Sequence, residues 1–136
     1  MSNSIKETDQ IASYHAHIYY DPGTTRAVAE RLRASIGERF SVQLGRWHDK
    51  PVGPHARAMF QIAFRTELLA TLVPFLMLNR DGLAVFVHPN TNRPRDDHLL
   101  HALWMGEILP LDAGPLPEIE EHAEGVVIPN TNPVNG

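Results

Sequence analysis

The sequence predicts an α+β protein in which two helices cover one face of a four-stranded antiparallel sheet. The first observation is the order of its segments, βαββαβ, which is the split βαβ arrangement. The second is that each predicted strand is apolar at alternate positions, so that one sheet face can pack under the helices. The third is the length of 136 residues, which suits one domain with a single core.

Local patterns predict each element in turn. The first helix covers 22–36, where apolar residues recur at four-residue spacing, and it ends at Gly37. The second helix begins at Thr66 and continues through Leu78. Alternating apolar residues predict the four strands, which are 12–20, 40–46, 57–64 and 83–88.

The remaining segments set the domain boundaries. Residues 1–11 are expected to be flexible, and 12–112 form the folded domain. The segment 89–97 is predicted to be a loop, whereas 98–109 is compatible with either a short turn or a fifth, edge strand. Prolines, glycines and acids dominate 113–136, so this tail is expected to be extended or disordered unless a partner holds it.

Composition excludes several classes of protein. A net charge of −4 without a basic stripe argues against a nucleic-acid partner. The absence of cysteine excludes disulfides and thiolate chemistry. The polar first ten residues do not resemble a signal peptide, and no apolar run approaches the ~18 residues of a membrane span. We therefore expect a soluble, cytoplasmic protein with no membrane partner.

Histidine is the residue type that points to a function. The chain has eight histidines, and two of them, His15 and His17, are two positions apart on a predicted strand. Side chains alternate across a strand, so these two imidazoles leave the same face. In a split βαβ sheet the first and last strands are neighbours, which could bring His88 to the same metal ion. Without thiols, this predicts an imidazole or imidazole–carboxylate site.

The sheet face opposite the helices is polar but contains neither lysine nor glutamate. A solvent-facing sheet would normally carry such residues, and a dimer interface would carry more aliphatic ones. The face therefore resembles the floor of a pocket covered by loops 47–56 and 89–101 or by a second subunit. Its residues are His15, His17, Tyr19, Ser41, Gln43, Arg57, Met59, Gln61, Ala84, Phe86 and His88.

Simpler interpretations exist for several polar residues. His15 could bind substrate rather than metal. His98 and His101 are three positions apart and could share a helical face, or either could cap a turn. The pair 96–97 is most simply a solvated turn, and His122 in the tail a surface residue. No phosphate-binding loop, GxSxG nucleophile or HExxH zinc helix is present.

Six short segments, spaced along the chain, together carry a family resemblance. They are 14–20 (YHAHIYY), 45–48 (GRWH), 51–55 (PVGPH), 77–80 (MLNR), 87–89 (VHP) and 101–107 (HALWMGE). As a set they resemble the DOPA 4,5-dioxygenase-like family over about residues 12 to 112. The resemblance implies a ferredoxin-like fold, usually dimeric, and ring-opening of catechols such as 3,4-dihydroxyphenylalanine with molecular oxygen.

Extradiol cleavage of a catechol needs a redox metal with open positions for substrate and O₂. The usual protein solution is non-haem Fe(II) held by two histidines and a carboxylate, although zinc or another divalent metal could occupy the site in a purified sample. Glu107 is the best candidate for the carboxylate because it follows the possible edge strand. A triad of His15, His17 and His88 is equally compatible.

Other residues near the face receive roles in the same reaction. A further histidine can take the catechol proton near neutral pH, and the candidates for this role are His55, His101 and His48. Arg57 is expected to hold a substrate carboxylate in a bidentate pair, with Tyr19 and Gln61 also contacting the substrate. The expected assembly is a homodimer in which loops or the tail close each pocket.

Two other functions are compatible with the same residues. One is a dimeric small-molecule or metal-binding module without turnover, and the other is a dimer whose open sheet face is mainly an assembly surface. Metal bound after purification separates the assembly surface from the other two hypotheses. Oxygen uptake with a catechol then separates the enzyme from the binding module.

Overall fold

The computed structural model describes residues 5–133 and is built on a five-stranded antiparallel sheet. Its strands are β1 (Ser13–Tyr19), β2 (Gln43–His48), β3 (Met59–Phe64), β4 (Val85–Asn90) and β5 (Leu103–Met105). Its helices are α1 (Arg26–Arg39), α2 (Leu69–Asn79) and α3 (Pro94–Leu99), with 3-10 turns at Thr8–Gln10 and Thr66–Leu68. The α+β class and the βαββαβ order are confirmed, and β5 is the edge strand that the sequence left open.

The strands lie side by side in the order β2-β3-β1-β4-β5. This is the ferredoxin-like arrangement, in which β1 is central and pairs with both β3 and β4. The added strand β5 pairs with the outer edge of β4. The first and last strands of the βαββαβ unit are therefore neighbours, as the sequence predicts.

One face of the sheet forms the hydrophobic core. The alternate apolar positions of the strands are almost fully buried there, and helices α1 and α2 cover them. The apolar residues of α1 recur at the predicted four-residue spacing and face the sheet, and α2 contributes two buried leucines. The core residues of the sheet and helices include Ala16, Ile18, Ala29, Leu32, Ile36, Phe60, Ile62, Phe64, Leu72, Leu76, Val85 and Val87.

Strand β2 contains an irregularity that changes which side chains face the core. The register against β3 shifts between Leu44 and Trp47, and both of these residues pack against the core. Gly45 lies in the shift, where an added Cβ would be 2.8 Å from the backbone oxygen of Gln61. The extra residue reverses the alternation after it, which is a property of β-bulges. His48 therefore lies on the open face.

The prediction of a loop over 89–97 is wrong in part, because this segment contains the end of β4 and most of helix α3. Pro94 occupies a first helical position, where a missing N–H costs nothing, and the acids at 96 and 97 lie in the first turn. The solvated turn expected there is also wrong. Asp97 is only 1% exposed, and its carboxylate accepts hydrogen bonds from the N–H and the hydroxyl of Thr91, both at 2.7 Å.

Between β5 and residue 133 the chain crosses the open face without forming a helix or a further strand, and we call residues 111–131 the strap. Its backbone is attached at several points along the sheet. Arg95 donates to the carbonyl of Leu116 at 2.9 Å, and the Ser13 hydroxyl donates to the carbonyl of Glu124. At its far end the Thr131 hydroxyl donates to the carbonyl of Phe40 at 2.6 Å.

Within residues 5–133, no helix combines the length and the apolar character needed to cross a membrane.

Candidate metal centre

Three buried histidines meet on the open face of the sheet. His15 on β1 lies directly opposite His88 on β4, and His17 is two residues further along β1. Each offers one ring nitrogen such that the three nitrogens lie within 4.8 Å of one another. The geometry follows from the two-residue repeat of β1 and from the pairing of β1 with β4.

The two facing nitrogens suit a shared metal ion. Nε2 of His17 lies 3.2 Å from Nε2 of His88. Nδ1 of His88 donates to the carbonyl of Pro89 at 2.9 Å, which leaves its Nε2 as an unprotonated acceptor. Imidazole nitrogens bind a divalent ion such as zinc at ~2.0–2.1 Å, so two nitrogen ligands of one ion lie roughly 3 Å apart. An outer carbonyl that fixes the tautomer is also the usual partner of a metal-bound histidine.

His17 is left with an unsatisfied nitrogen. Its buried Nδ1 has no hydrogen-bond partner among the described residues. Without a cation, the proton of His17 can sit on Nε2 and bond to His88. A cation at this point would take both Nε2 lone pairs and move the proton of His17 to Nδ1, so the fit to a metal ion rests on the convergence of the three ring nitrogens.

Burial keeps the cluster uncharged at neutral pH. Desolvation lowers the pKa of His15 to about 4, with a smaller effect from nearby His98. It also holds the pKa of His17 and of His88 well below the usual value, and neighbouring imidazoles lower both further. Neutral imidazole is the form that binds a metal, so the cluster is ready for one at pH 7.

A cavity of about 320 Å³ opens above these histidines. Its floor is the histidine cluster, and one wall is apolar and rich in proline. The strap forms part of its lining, so the tail covers the site within a single chain. The lining includes His15, His17, Pro54, His55, Gln61, His88, Pro94, His98, Pro115, Leu116, Pro117, Glu120 and Glu124.

His55 is oriented by a tyrosine. The Tyr19 hydroxyl lies 2.6 Å from Nδ1 of His55. Burial raises the pKa of Tyr19, so its hydroxyl keeps its proton and can donate it to this nitrogen. Burial lowers the pKa of His55 to about 4, so the ring is neutral and its remaining proton is on Nε2. His55 is thus a hydrogen-bond donor beside His17, whose ring centroid is 4.2 Å away.

His98 has the opposite tautomer to His55, with its proton on Nδ1. Its Nδ1 donates to the carbonyl of Pro94, one helical turn earlier, at 2.7 Å. This leaves Nε2 as an acceptor, on a ring centred 3.9 Å from that of His88. Desolvation lowers the pKa of His98 below the usual value. The sequence pattern left His98 open between a shared helical face and a turn cap, although Pro94 followed by two acids is a signal for the helix that positions it.

The other predicted site residues lie in three places. Gln61 lines the histidine cavity, whereas His48 lies further along the open face. Arg57 and Glu107 form a bidentate ion pair at 3.1 Å for both bonds. Together with Tyr19 they line the second cavity, of about 520 Å³, which does not contain the three histidines. Glu107 is therefore not brought to the cluster.

Two further histidines lie away from the cluster. His101 is exposed and lines a cavity of about 230 Å³ beside Lys6 and Arg93. The side chain of His122 on the strap is 87% exposed, which agrees with its interpretation as a surface residue. Glu120 and Glu124 do line the histidine cavity, but the acidic tail gave no periodic signal to select them.

Comparison with known families decides the assignment of the chain. A model of the Dopa 4,5-dioxygenase family matches residues 14–114, which include the three clustered histidines. The chain belongs to the Dopa 4,5-dioxygenase family. The resemblance seen in its short sequence segments is thereby confirmed.

Two curated relatives resemble the chain, and one of them carries the name of the family. The chain is 34% identical to an uncharacterised 21.2 kDa protein of Botryotinia fuckeliana, with 74% of this chain and 61% of that protein covered. It is 31% identical to a DOPA 4,5-dioxygenase of Amanita muscaria, with 79% and 51% covered. The chain thus spans about half to three fifths of the length of these curated relatives.

A solved structure shares the fold. It belongs to a Nostoc punctiforme protein described as a candidate dioxygenase, which is 48% identical to this chain. The TM-score is 0.77, and the match covers 79% of this chain and 92% of that one.

Proposed function

We propose that the protein is an extradiol ring-cleaving dioxygenase that acts on a small catechol with O₂ at a non-haem ferrous ion. The observation that carries this proposal is the group of three buried, neutral histidines that converge on one point beneath a cavity. Membership of the Dopa 4,5-dioxygenase family supports the reaction class. The fungal relative named DOPA 4,5-dioxygenase supports a catechol as the substrate.

The ion would be held by His15, His17 and His88. Imidazole is a suitable ligand for iron, and three protein ligands leave positions open for substrate. When bound, a ferrous ion supplies the redox chemistry that lets a catechol react with dioxygen. The carbonyl of Pro89 holds the ring of His88 in the ligating tautomer.

His98 and His55 would handle the protons of the substrate. Nε2 of His98 is an acceptor near His88, so it can take the proton of a catechol hydroxyl. The Nε2–H of His55 can donate a hydrogen bond to a substrate oxygen, because Tyr19 fixes its tautomer. This assignment gives the acid–base role to His98, in place of the exposed His101.

The size and lining of the cavity favour a small aromatic molecule. Its volume of about 320 Å³ lies at the lower end of the range for small-molecule pockets, roughly 300–1,000 Å³. The prolines of the wall present rigid apolar rings and no N–H groups, which suits the face of an aromatic ring. The apolar wall consists of Pro54, Pro94, Pro115, Leu116 and Pro117.

A homodimer is part of the proposal. Four of the apolar side chains that are exposed in the single chain lie in or next to α3 and the edge strand β5, and they are Leu99, Leu100, Leu103 and Ile108. Exposed apolar clusters of this kind often mark contact surfaces. Sedimentation should give twice the chain mass, and a monomer at micromolar concentration would contradict this part of the proposal.

Oxygen uptake tests the reaction directly. The metal-free chain would be reconstituted with ferrous ion under anaerobic conditions and then mixed with catechol or 3,4-dihydroxyphenylalanine in an oxygen electrode cell. We expect uptake that matches the loss of catechol. His88→Gln should abolish it, whereas His122→Gln, at an exposed position, should retain it. Full iron occupancy without uptake would contradict the enzyme and favour a binding module.

A further inference from the structure

We propose that Glu124, on the strap, supplies the carboxylate that completes the metal site, so that the site consists of three histidines and one glutamate. The inference rests on the proposed function, since it requires that the histidines hold a metal. Glu124 lies outside residues 14–114, the part of the chain that the family model matches. It is therefore a feature of this chain that family membership does not supply.

The backbone of Glu124 is attached to the same two strands that carry the histidines. The Ser13 hydroxyl on β1 donates to the carbonyl of Glu124. Asn90 on β4 in turn donates to the oxygen of Ser13 at 3.0 Å. Ser13 is 1% exposed and Asn90 is 6% exposed, so this chain of hydrogen bonds is buried. It places the residue at the end of the cavity where His15 and His88 stand opposite each other.

The next residue allows this close approach. At Gly125 an added Cβ would lie 2.8 Å from the Cβ of Ala12, the residue that precedes β1. Side chains do not tolerate such a contact, so glycine lets the strap lie directly against the start of the strand. The strap continues to the buried Val127, whose carbonyl accepts a hydrogen bond from Arg65 at 3.2 Å. Contacts of the backbone at Glu124, at Gly125 and at Val127 therefore fix the position of Glu124.

The side chain of Glu124 points to the cluster. Its Oε2 lies 3.7 Å from Nε2 of His15, which is too long for a hydrogen bond. Nitrogen and oxygen ligands of one ion, each at ~2.0–2.2 Å, stand roughly 3 Å apart, so a small rotation brings the carboxylate into range. The side chain is 68% exposed and has room for that rotation.

Glu120 also lines the cavity, but among the described residues it forms no ion pair with a clustered histidine, and two other carboxylates are engaged elsewhere. Both oxygens of Asp97 accept hydrogen bonds from Thr91, and Glu107 is paired with Arg57 in the second cavity. Three neutral imidazoles bring no negative charge to a divalent cation. Because a buried charge is stable when it is paired, a carboxylate beside the histidines would stabilise the bound cation. Glu124 is the carboxylate of the described chain that both lines the cavity and contacts one of the three histidines.

Metal affinity provides the test. Wild type, Glu124→Gln and Glu121→Gln would be titrated with Zn²⁺ against a chromophoric chelator, as full-length chains. Glu121 is the matched control, because it lies on the same strap, is 91% exposed and loses the same charge. Glu124→Gln should weaken binding at least about tenfold, as loss of a partner at a metal site does, and Glu121→Gln should not. Melting curves in excess chelator check that both variants fold.

Cobalt adds a readout that depends on the ligands themselves. The visible absorption of bound Co²⁺ should change in Glu124→Gln and stay as in wild type in Glu121→Gln. Wild-type affinity and spectrum in Glu124→Gln would overturn this inference and leave the three-histidine site intact. Equal weakening in both variants would also overturn it, because the charge of the strap would then be the cause. A wild-type chain that binds no metal would overturn the proposed function as well.

Discussion

Acid should unfold the metal-free protein because its histidine cluster is buried without charge. The four histidines concerned are His15, His17, His55 and His88, whose pKa values are all lowered by burial. In the unfolded chain each titrates near 6.5. As the pH falls below 6.5, the unfolded chain binds protons that the folded chain does not bind until the pH is near 4 at His15 and His55, and well below 6.5 at His17 and His88. Stability is therefore complete above pH 6.5 and is lost as the pH falls through this window.

The expected loss is large. At pH 5 a histidine that stays neutral in the folded state, with an unfolded pKa of 6.5, destabilises that state by about 2 kcal/mol relative to pH 7. Four such groups together give a loss of roughly 7–8 kcal/mol. Domains of this size are stable by only ~5–15 kcal/mol, so the metal-free protein should be close to unfolding at pH 5.

Urea denaturation at pH 7 and pH 5, in excess chelator, measures this loss. His15→Gln removes one buried imidazole and should reduce the pH-dependent loss by about 2 kcal/mol. His122→Gln removes a histidine whose side chain is 87% exposed and should leave the loss as in wild type. Equal free energies of unfolding at the two pH values, or the same loss in His15→Gln as in wild type, would refute the reasoning.

Three further predictions concern individual residues. His98→Gln should retain iron but lose ~10²–10⁴ in turnover, and His101→Gln should keep wild-type rates in the same assay; the reverse result would return the proton-transfer role to His101. Tyr19→Phe removes the hydroxyl that keeps the proton of His55 on Nε2, so the ¹⁵N resonances of that ring should shift to values for a mixture of the two tautomers. Unchanged resonances would show that another group fixes the tautomer. Glu107→Gln should leave Zn²⁺ affinity unchanged, and a tenfold weakening would restore Glu107 as a ligand.

Sequence was sufficient where the signal is local. The two-residue repeat of β1 puts His15 and His17 on one face, and the βαββαβ order makes β4 its neighbour, which brings His88 to them. The same alternation separates the core face from the open face. These predictions depend only on strand periodicity and on a common topology, so few other conformations compete with them.

The features that the sequence did not predict depend on non-local contacts or on an ambiguous residue. Pro94 was interpreted as part of a loop, but proline also favours the first turn of a helix, and that helix is what directs His98 to the cavity. Glu107 follows an edge strand, and its pairing with Arg57 is set by two segments fifty residues apart. Glu124 approaches the cluster through a contact with Ser13, 111 positions away, in a segment with no periodicity.

The central claim is that the three-histidine site carries out oxygen-dependent opening of a catechol ring. Mass spectrometry of the product formed under ¹⁸O₂ tests it most directly, with iron-loaded protein and a catechol. The proposed reaction predicts a ring-opened product that contains both atoms of one dioxygen molecule, and His17→Ala should give none because the metal is lost. A quinone without labelled oxygen, or the same labelled product from His17→Ala, would contradict the account.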